Sequence, residues 1–142
     1  MIKNLTSAFL LVASLVAFSA CEKDESNTVD LKATISGSQE ADPNNSTATG
    51  TMTGTYDKIT RTLTYTVTYQ GITPSAGHIH EGAVGTNGGV IIPFSSVATS
   101  PITGTATLTE ADGKKLLDNA TYVNFHTTAY PGGEIRGNIS VK

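Results

Sequence analysis

The chain contains three histidines, and all three lie in two short polar segments. His78 and His80 belong to Gly-His-Ile-His-Glu-Gly at positions 77–82, and His126 belongs to Asn-Phe-His-Thr-Thr-Ala-Tyr-Pro-Gly-Gly-Glu-Ile-Arg-Gly at positions 124–137. Imidazole is the commonest metal ligand in proteins, and it is the side chain that ordinarily titrates nearest to neutral pH. These two segments are therefore the candidate functional site.

The alternation of side chains along a β-strand predicts that the three histidines share one face of a sheet. In the first segment Ile79 takes the apolar phase, so His78 and His80 point away from the core. In the second segment Phe125 takes the apolar phase, and His126 points outward in the same way. Three imidazoles close together could supply three ligands to a zinc or copper ion.

A predicted hairpin adds other polar side chains to this face. With residues 129–133 as its loop, Thr128 lies opposite Glu134 and His126 lies opposite Arg136. An arginine beside His126 raises the electrostatic cost of binding a cation there. The predicted polar cluster contains, besides the histidines, Glu81, Asn124, Glu134 and Arg136.

Threonine at every second position is the main signal for secondary structure. It marks residues 47–56, 62–69 and 102–109 as half-buried strands that expose threonine on one face. Further strands are predicted at 29–37, 77–81, 90–94, 121–128 and 134–141, and a helical turn is predicted at 110–119. This pattern predicts an all-β fold, an antiparallel β-sandwich or Greek-key barrel of about eight strands, as in immunoglobulin-like architectures.

The amino-terminal region predicts a bacterial lipoprotein signal peptide. Lys3 precedes an apolar stretch at 5–18, which is short for a membrane span and typical of a secretory signal. The Ser-Ala-Cys sequence that follows is similar to a lipobox and contains the single cysteine of the chain, Cys21. We predict that residues 1–20 are removed and that a lipid on Cys21 anchors the protein to the membrane. The alternatives for Cys21 are a buried free thiol or an intermolecular disulfide.

The remaining chain reads as a charged tether at 21–28 followed by one domain at 29–142. The tether resembles the surface-export signal of some Gram-negative lipoproteins, so the predicted location is the outer membrane, either periplasmic or surface-exposed. Loss of the signal peptide removes one of nine basic residues and none of the 12 acidic ones, leaving a net charge of about −4. A negative net charge does not predict a nucleic-acid-binding surface, and no run of basic residues predicts a surface for anionic lipid.

The two histidine segments resemble those of the chordin (CHRD) domain family. The matching residues are His78, Ile79, His80, Gly82, Gly85, Asn87, Gly88 and Val90, then Val123, Asn124, His126, Thr127, Tyr130, Pro131, Gly133, Glu134, Ile135, Arg136 and Gly137. The resemblance extends over about residues 30–142. It implies an extracellular β-sandwich module, and it implies no known reaction.

The first segment is also similar to the His-Val-His strand of copper-zinc superoxide dismutases, where both histidines bind copper on the outside of a Greek-key barrel. An outward His126 near the carboxyl terminus, followed by an arginine on the next strand, adds to this likeness. The bridging ligand, the zinc-binding cluster and the disulfide cysteines of that enzyme have no counterpart in this chain. Three imidazoles alone do not make its four-nitrogen copper site.

Two functions remain open on the sequence. The first is a non-catalytic binding module for an extracellular protein or glycan, in which the polar cluster fixes the packing of the 82–89 loop. The second is a copper- or zinc-binding protein whose ligands are His78, His80 and His126. Catalysis is disfavoured because no Ser or Cys nucleophile and no partner carboxylate is placed to join Glu81.

Overall fold

The structure, a computed structural model, describes residues 26–142, so the predicted signal peptide and Cys21 lie outside the described residues. The strands are β1 Thr28–Ser36, β2 Thr49–Asp57, β3 Thr62–Gln70, β4 Ala76–Glu81, β5 Val90–Pro93, β6 Ile102–Thr107, β7 Thr121–His126, β8 Ile135–Asn138 and β9 Ser140–Val141. An α-helix, α1, spans Glu110–Leu117. All eight predicted strands are present, and the last is divided into β8 and β9. Within the described part of the chain, no helix combines the length and apolar character that a membrane span requires.

The strands form one antiparallel sheet in the order β5-β4-β7-β8-β1-β2-β3-β6, and β9 pairs with β1. This sheet curls into a nearly closed, barrel-like structure of eight strands. The predicted all-β antiparallel fold is confirmed. Because β4 and β7 are neighbours in the sheet, the two histidine segments lie side by side.

The threonine alternation sorts side chains between the barrel interior and solvent. On β2 and β3 the inward positions include Met52, Leu63 and Val67, which are all at least 99% buried. The threonines of these strands point outward and pair across the sheet, as Thr51 and Thr68 do with hydroxyl oxygens 2.8 Å apart. Apolar side chains enclosed in this way provide the main favourable term in folding.

The helix α1 packs against the end of β2 where the β2–β3 hairpin turns. Its first turn is capped by Thr109, whose hydroxyl accepts a hydrogen bond from the Asp112 backbone N–H at 3.1 Å. Leu116 is buried on its inner side. Gly113 allows close approach, because a Cβ at that position would lie 2.1 Å from the Tyr56 hydroxyl.

The register of the β7–β8 hairpin differs from the prediction by two residues. Asn124 lies opposite Arg136, and Phe125 lies opposite Ile135. The predicted pairing of His126 with Arg136 is therefore wrong, because the connecting loop is longer and occupies residues 127–134. A shift of two residues keeps every side chain on its predicted face, since the period of a strand is two.

Candidate functional site

The three histidines converge on the outer face of β4 and β7. His78 lies opposite Asn124 and His80 lies opposite Tyr122, while His126 ends β7. The ring centroid of His78 is 5.2 Å from that of His80 and 5.1 Å from that of His126. The remaining pair, His80 and His126, is separated by 5.8 Å. One ring nitrogen from each residue lies within 4.8 Å of the other two. The structure thus brings together the residues that the sequence named as possible metal ligands.

Loops cover this outer face, and their carbonyl oxygens set the tautomer of two of the rings. The Nδ1 atom of His80 lies 3.0 Å from the carbonyl oxygen of Gly88, and the Nδ1 atom of His126 lies 3.0 Å from that of Pro131. A carbonyl oxygen only accepts hydrogen bonds, so each Nδ1 is the protonated donor. The Nε2 atom of each neutral ring consequently carries a free lone pair.

Three of the four remaining ring nitrogens in the cluster are buried without a hydrogen-bond partner among the described residues. They are Nε2 of His80, Nε2 of His126 and Nδ1 of His78. Buried polar atoms are nearly always hydrogen-bonded, so three such exceptions in one cluster require an explanation. A shared electrophile such as a metal ion would satisfy all three lone pairs together.

Burial favours the neutral form of two of the imidazoles, those of His78 and His80. Burial is the main reason that the pKa of His78 is lowered, with further contributions from His126 and His80. Burial also lowers the pKa of His80, and the hydrogen bond to Gly88 opposes this change only in part. Neutral rings are the form that ligates metals, so protons compete weakly for these nitrogens at neutral pH.

Tyr122 separates the histidines from the buried cation Arg136. The His80 and Tyr122 rings stack at 5.0 Å with 7° between their planes, and the Arg136 guanidinium carbon lies 3.5 Å from the centroid of Tyr122. Arg136 is fully buried and donates a 2.8 Å hydrogen bond to the Ala83 carbonyl oxygen. Arg136 therefore holds the 82–89 loop over the site and contacts the histidines through Tyr122.

Glu40 joins the polar cluster, and the sequence analysis missed it. The Asn124 side-chain amide donates a 2.6 Å hydrogen bond to Glu40 Oε1, and both residues are buried. Burial raises the pKa of Glu40, although Asn124 and Arg136 counteract the change. The contact joins segments 84 residues apart. No local pattern near Glu40 predicts it.

Two other predicted members lie apart from the histidine nitrogens. Glu134 accepts hydrogen bonds from Ser46 at 2.7 Å and Thr127 at 2.5 Å, so its carboxylate braces two of the covering loops. Glu81 forms an ion pair with Lys115 of α1. Neither carboxylate forms an ion pair with a histidine in the described residues.

The donor set and its spacing fit a small transition-metal ion. A tetrahedral ion bound at 2.0–2.1 Å requires donor nitrogens about 3.4 Å apart. The donor nitrogens already lie within 4.8 Å of one another, so small side-chain movements that keep the hydrogen bonds of His80 and His126 bring them to this spacing. Three neutral nitrogens without a carboxylate suit zinc or copper better than magnesium or calcium.

Comparison with known proteins adds a family assignment to this geometry. The family model described as CHRD domain matches residues 31–139, which extend from within β1 to just past β8 and include all three histidines. No curated protein and no solved structure matches the chain.

Proposed function

The chain belongs to the CHRD domain family, and we propose that this member binds a copper or zinc ion through His78, His80 and His126. The observation that carries the proposal is the cluster of three buried ring nitrogens without hydrogen-bond partners in residues 26–142. Leaving buried polar atoms unsatisfied costs free energy, and coordination removes that cost at all three positions.

The hydrogen bonds around the cluster assign a donor atom to each histidine. His80 and His126 bind through Nε2, since their Nδ1 atoms donate to Gly88 and Pro131. His78 binds through Nδ1, its buried unpaired nitrogen. The two carbonyl oxygens fix the orientation of the rings, as outer-shell partners do in known metal sites.

A zinc or copper ion with three protein ligands keeps a coordination position available for water or another small ligand. The chain's own contribution is to hold three donor nitrogens in place and to keep them buried, with the loops at 82–89 and 127–134 hydrogen-bonded to two of the rings. Binding of an extracellular protein or glycan, the other function open on the sequence, stays a prediction. In that function the polar cluster fixes the packing of the 82–89 loop, and the hydrogen bonds that His80 and Arg136 donate to this loop support such a role.

Metal uptake by the mature chain tests this proposal. We expect the protein with Cys21→Ser, which removes the lipid attachment point, to bind one zinc or copper ion per chain in calorimetry and elemental analysis. Replacement of His78, His80 or His126 by Gln should abolish stoichiometric binding. Glu81→Gln is the matched control, because its carboxylate pairs with Lys115 and should be dispensable for uptake. Metal uptake by these histidine variants equal to that of the parent chain, or no uptake by the parent chain, would contradict the proposal.

We also propose that the domain is an envelope lipoprotein held at the outer membrane by a lipid on Cys21. The support is the apolar stretch followed by Ser-Ala-Cys and a charged tether. Cell fractionation tests it, because Cys21→Ser should move the protein from the membrane fraction to the soluble fraction. The membranes are washed with high salt first, because salt weakens attachment through surface charges. A variant that stays in the washed membrane fraction would refute the anchor. Protease treatment of intact cells then distinguishes surface exposure from periplasmic orientation.

A further inference from the structure

A cleft of about 600 Å³ lies between the β2–β3 hairpin and α1. Tyr56 and Leu117 contribute apolar surface to its lining, while Lys58, Arg61 and Lys114 add three cationic side chains. Glu110 is the single acidic residue of the lining. The cleft therefore combines apolar surface with an excess of positive charge, in a chain whose overall charge is negative. That combination suits an amphipathic anionic surface.

The tip of the hairpin exposes an apolar side chain beside this cleft. Ile59 is 72% exposed, one of three large hydrophobic residues in the described chain that are mostly exposed. The tip is well ordered by hydrogen bonds, because the Asp57 carboxylate accepts 2.8 Å bonds from the backbone N–H groups of Ile59 and Thr60. The turn therefore presents Ile59 outward between Lys58 and Arg61.

The position of the tether relates this surface to the membrane. The backbone N–H of Lys58 donates a 2.8 Å hydrogen bond to the carbonyl oxygen of Asn27, so the chain enters the domain beside the hairpin. Six residue steps separate Asn27 from Cys21, and a fully extended chain of that length spans at most about 20 Å. A lipid on Cys21 would consequently keep this end of the domain close to the bilayer.

We propose that the β2–β3 hairpin and the neighbouring cleft dock on the phospholipid bilayer in which the lipid of Cys21 is inserted. Ile59 enters the headgroup region, and Lys58 and Arg61 contact lipid phosphates. Lys114 contributes less, because it is paired with Asp118 at 2.5 Å. This inference rests on the proposed lipid anchor. It differs from the sequence-based expectation of no basic lipid-binding surface, because the three cations come from two segments about 50 residues apart.

Sedimentation with vesicles tests the docking surface without the lipid anchor. We expect the mature Cys21→Ser chain to bind vesicles of phosphatidylethanolamine and phosphatidylglycerol. One basic residue near an anionic surface contributes about fivefold in affinity, so Lys58→Glu/Arg61→Glu should lower the affinity for the vesicles at least tenfold. Ile59→Asp should also reduce binding, with an unchanged melting temperature because Ile59 is exposed.

Two matched variants control for exposure and charge. Val84→Asp changes a residue that is 79% exposed on the 82–89 loop, and Lys32→Glu reverses a charge on the exposed side of β1. Neither should weaken vesicle binding. An equal loss in these controls, or no vesicle binding by the parent chain, would overturn the proposal. A dimer in solution that Ile59→Asp dissociates, without vesicle binding, would assign the cleft to a second copy and also overturn it.

The docking and anchoring proposals fail separately in these experiments. The vesicle assay uses a chain that cannot be lipidated, so its outcome does not depend on Cys21. Vesicle binding through Ile59 by a protein that is not lipidated in cells would uphold the docking surface and refute the anchor. Membrane attachment that depends on Cys21, with no vesicle binding by the Cys21→Ser chain, would uphold the anchor and refute the docking surface.

Discussion

The barrel has two outward faces that follow the same strand alternation, but one is exposed to solvent and the other is covered by loops. On the open face, formed by the outward residues of β1, β2 and β3, the threonines meet solvent and one another, as Thr51 and Thr68 do. On the covered face, formed by the outward residues of β4, β7 and β8, every residue of β7 except His126 is buried. The covered face retains three buried histidine nitrogens that have no hydrogen-bond partner in the part of the chain that the structure describes.

The difference between the faces comes from the loops. The 82–89 loop is held over β7 by Arg136 and by His80, through the carbonyl oxygens of Ala83 and Gly88. The segment that contains Glu40 is held there by Asn124. Strand alternation sets the direction of a polar side chain, and the loops decide whether that side chain meets water or other polar groups. The three histidine nitrogens are buried together because loops cover this face of the sheet.

The largest expected contrast between the faces is in stability. Asn124→Ala removes two hydrogen bonds, at 2.6 Å to Glu40 and 3.0 Å to the Ile135 carbonyl, and leaves both acceptors buried. We expect the free energy of unfolding to fall by about 3 kcal/mol. Thr53→Ala, an outward position on the open face, should change it by less than about 0.5 kcal/mol. Urea denaturation measures both. Similar losses in the two variants would remove the distinction between the faces.

The second contrast is stabilisation by metal. If the covered face binds an ion, a free metal concentration of 100 times Kd should raise the free energy of unfolding by about 2.7 kcal/mol. His80→Gln should abolish this increment, and a chelator should remove it from the parent protein. Thr53→Ala should retain it in full. Thermal denaturation with and without zinc provides the measurement, and an equal increment in His80→Gln would contradict the assignment.

A smaller contrast is expected in the dependence of stability on pH. Burial lowers the pKa of His78 and His80, so the unfolded chain takes up these protons at higher pH than the folded chain. The metal-free protein should be most stable above about pH 6.5 and lose stability as the pH falls through that value. Two protons limit the slope to about 2.7 kcal/mol per pH unit.

Glu40 acts in the opposite direction, because burial raises its pKa. Its pKa is raised above 4.5 mainly by burial, so its contribution to stability increases as the pH falls through the raised value. The His78→Gln/His80→Gln variant should therefore lose the slope near pH 6.5 and keep the behaviour of Glu40. A slope near pH 6.5 that persists in this variant would show that other groups cause it.

The sequence predicted the strands and the facing of their side chains well. Alternation placed His78 and His80 on one side of Ile79, and the structure has the same arrangement. Local periodicity is sufficient for this result because each strand has one face in a continuous apolar core. The all-β fold and the outward facing of the histidines could thus be predicted from residues alone, whereas local periodicity does not predict that β4 and β7 are neighbours in the sheet.

Contacts made by loops could not be predicted in this way. The β7–β8 register was wrong by two residues because a longer loop preserves the facing of every side chain, so the apolar pattern does not distinguish the two registers. Glu40 reaches Asn124 across a long separation in sequence. Glu81 pairs with Lys115 of α1, a tertiary contact between distant segments that has no local signal.

The most direct test of the central claim is nitrogen NMR of the three histidine rings during titration with Zn²⁺. Our account predicts that the resonances of Nδ1 of His78 and of Nε2 of His80 and His126 shift together at one equivalent of metal. The Nδ1 atoms of His80 and His126 should stay protonated, since they donate to Gly88 and Pro131. Ring nitrogens that do not respond to Zn²⁺, or coordination through Nδ1 of His80 or His126, would contradict the account.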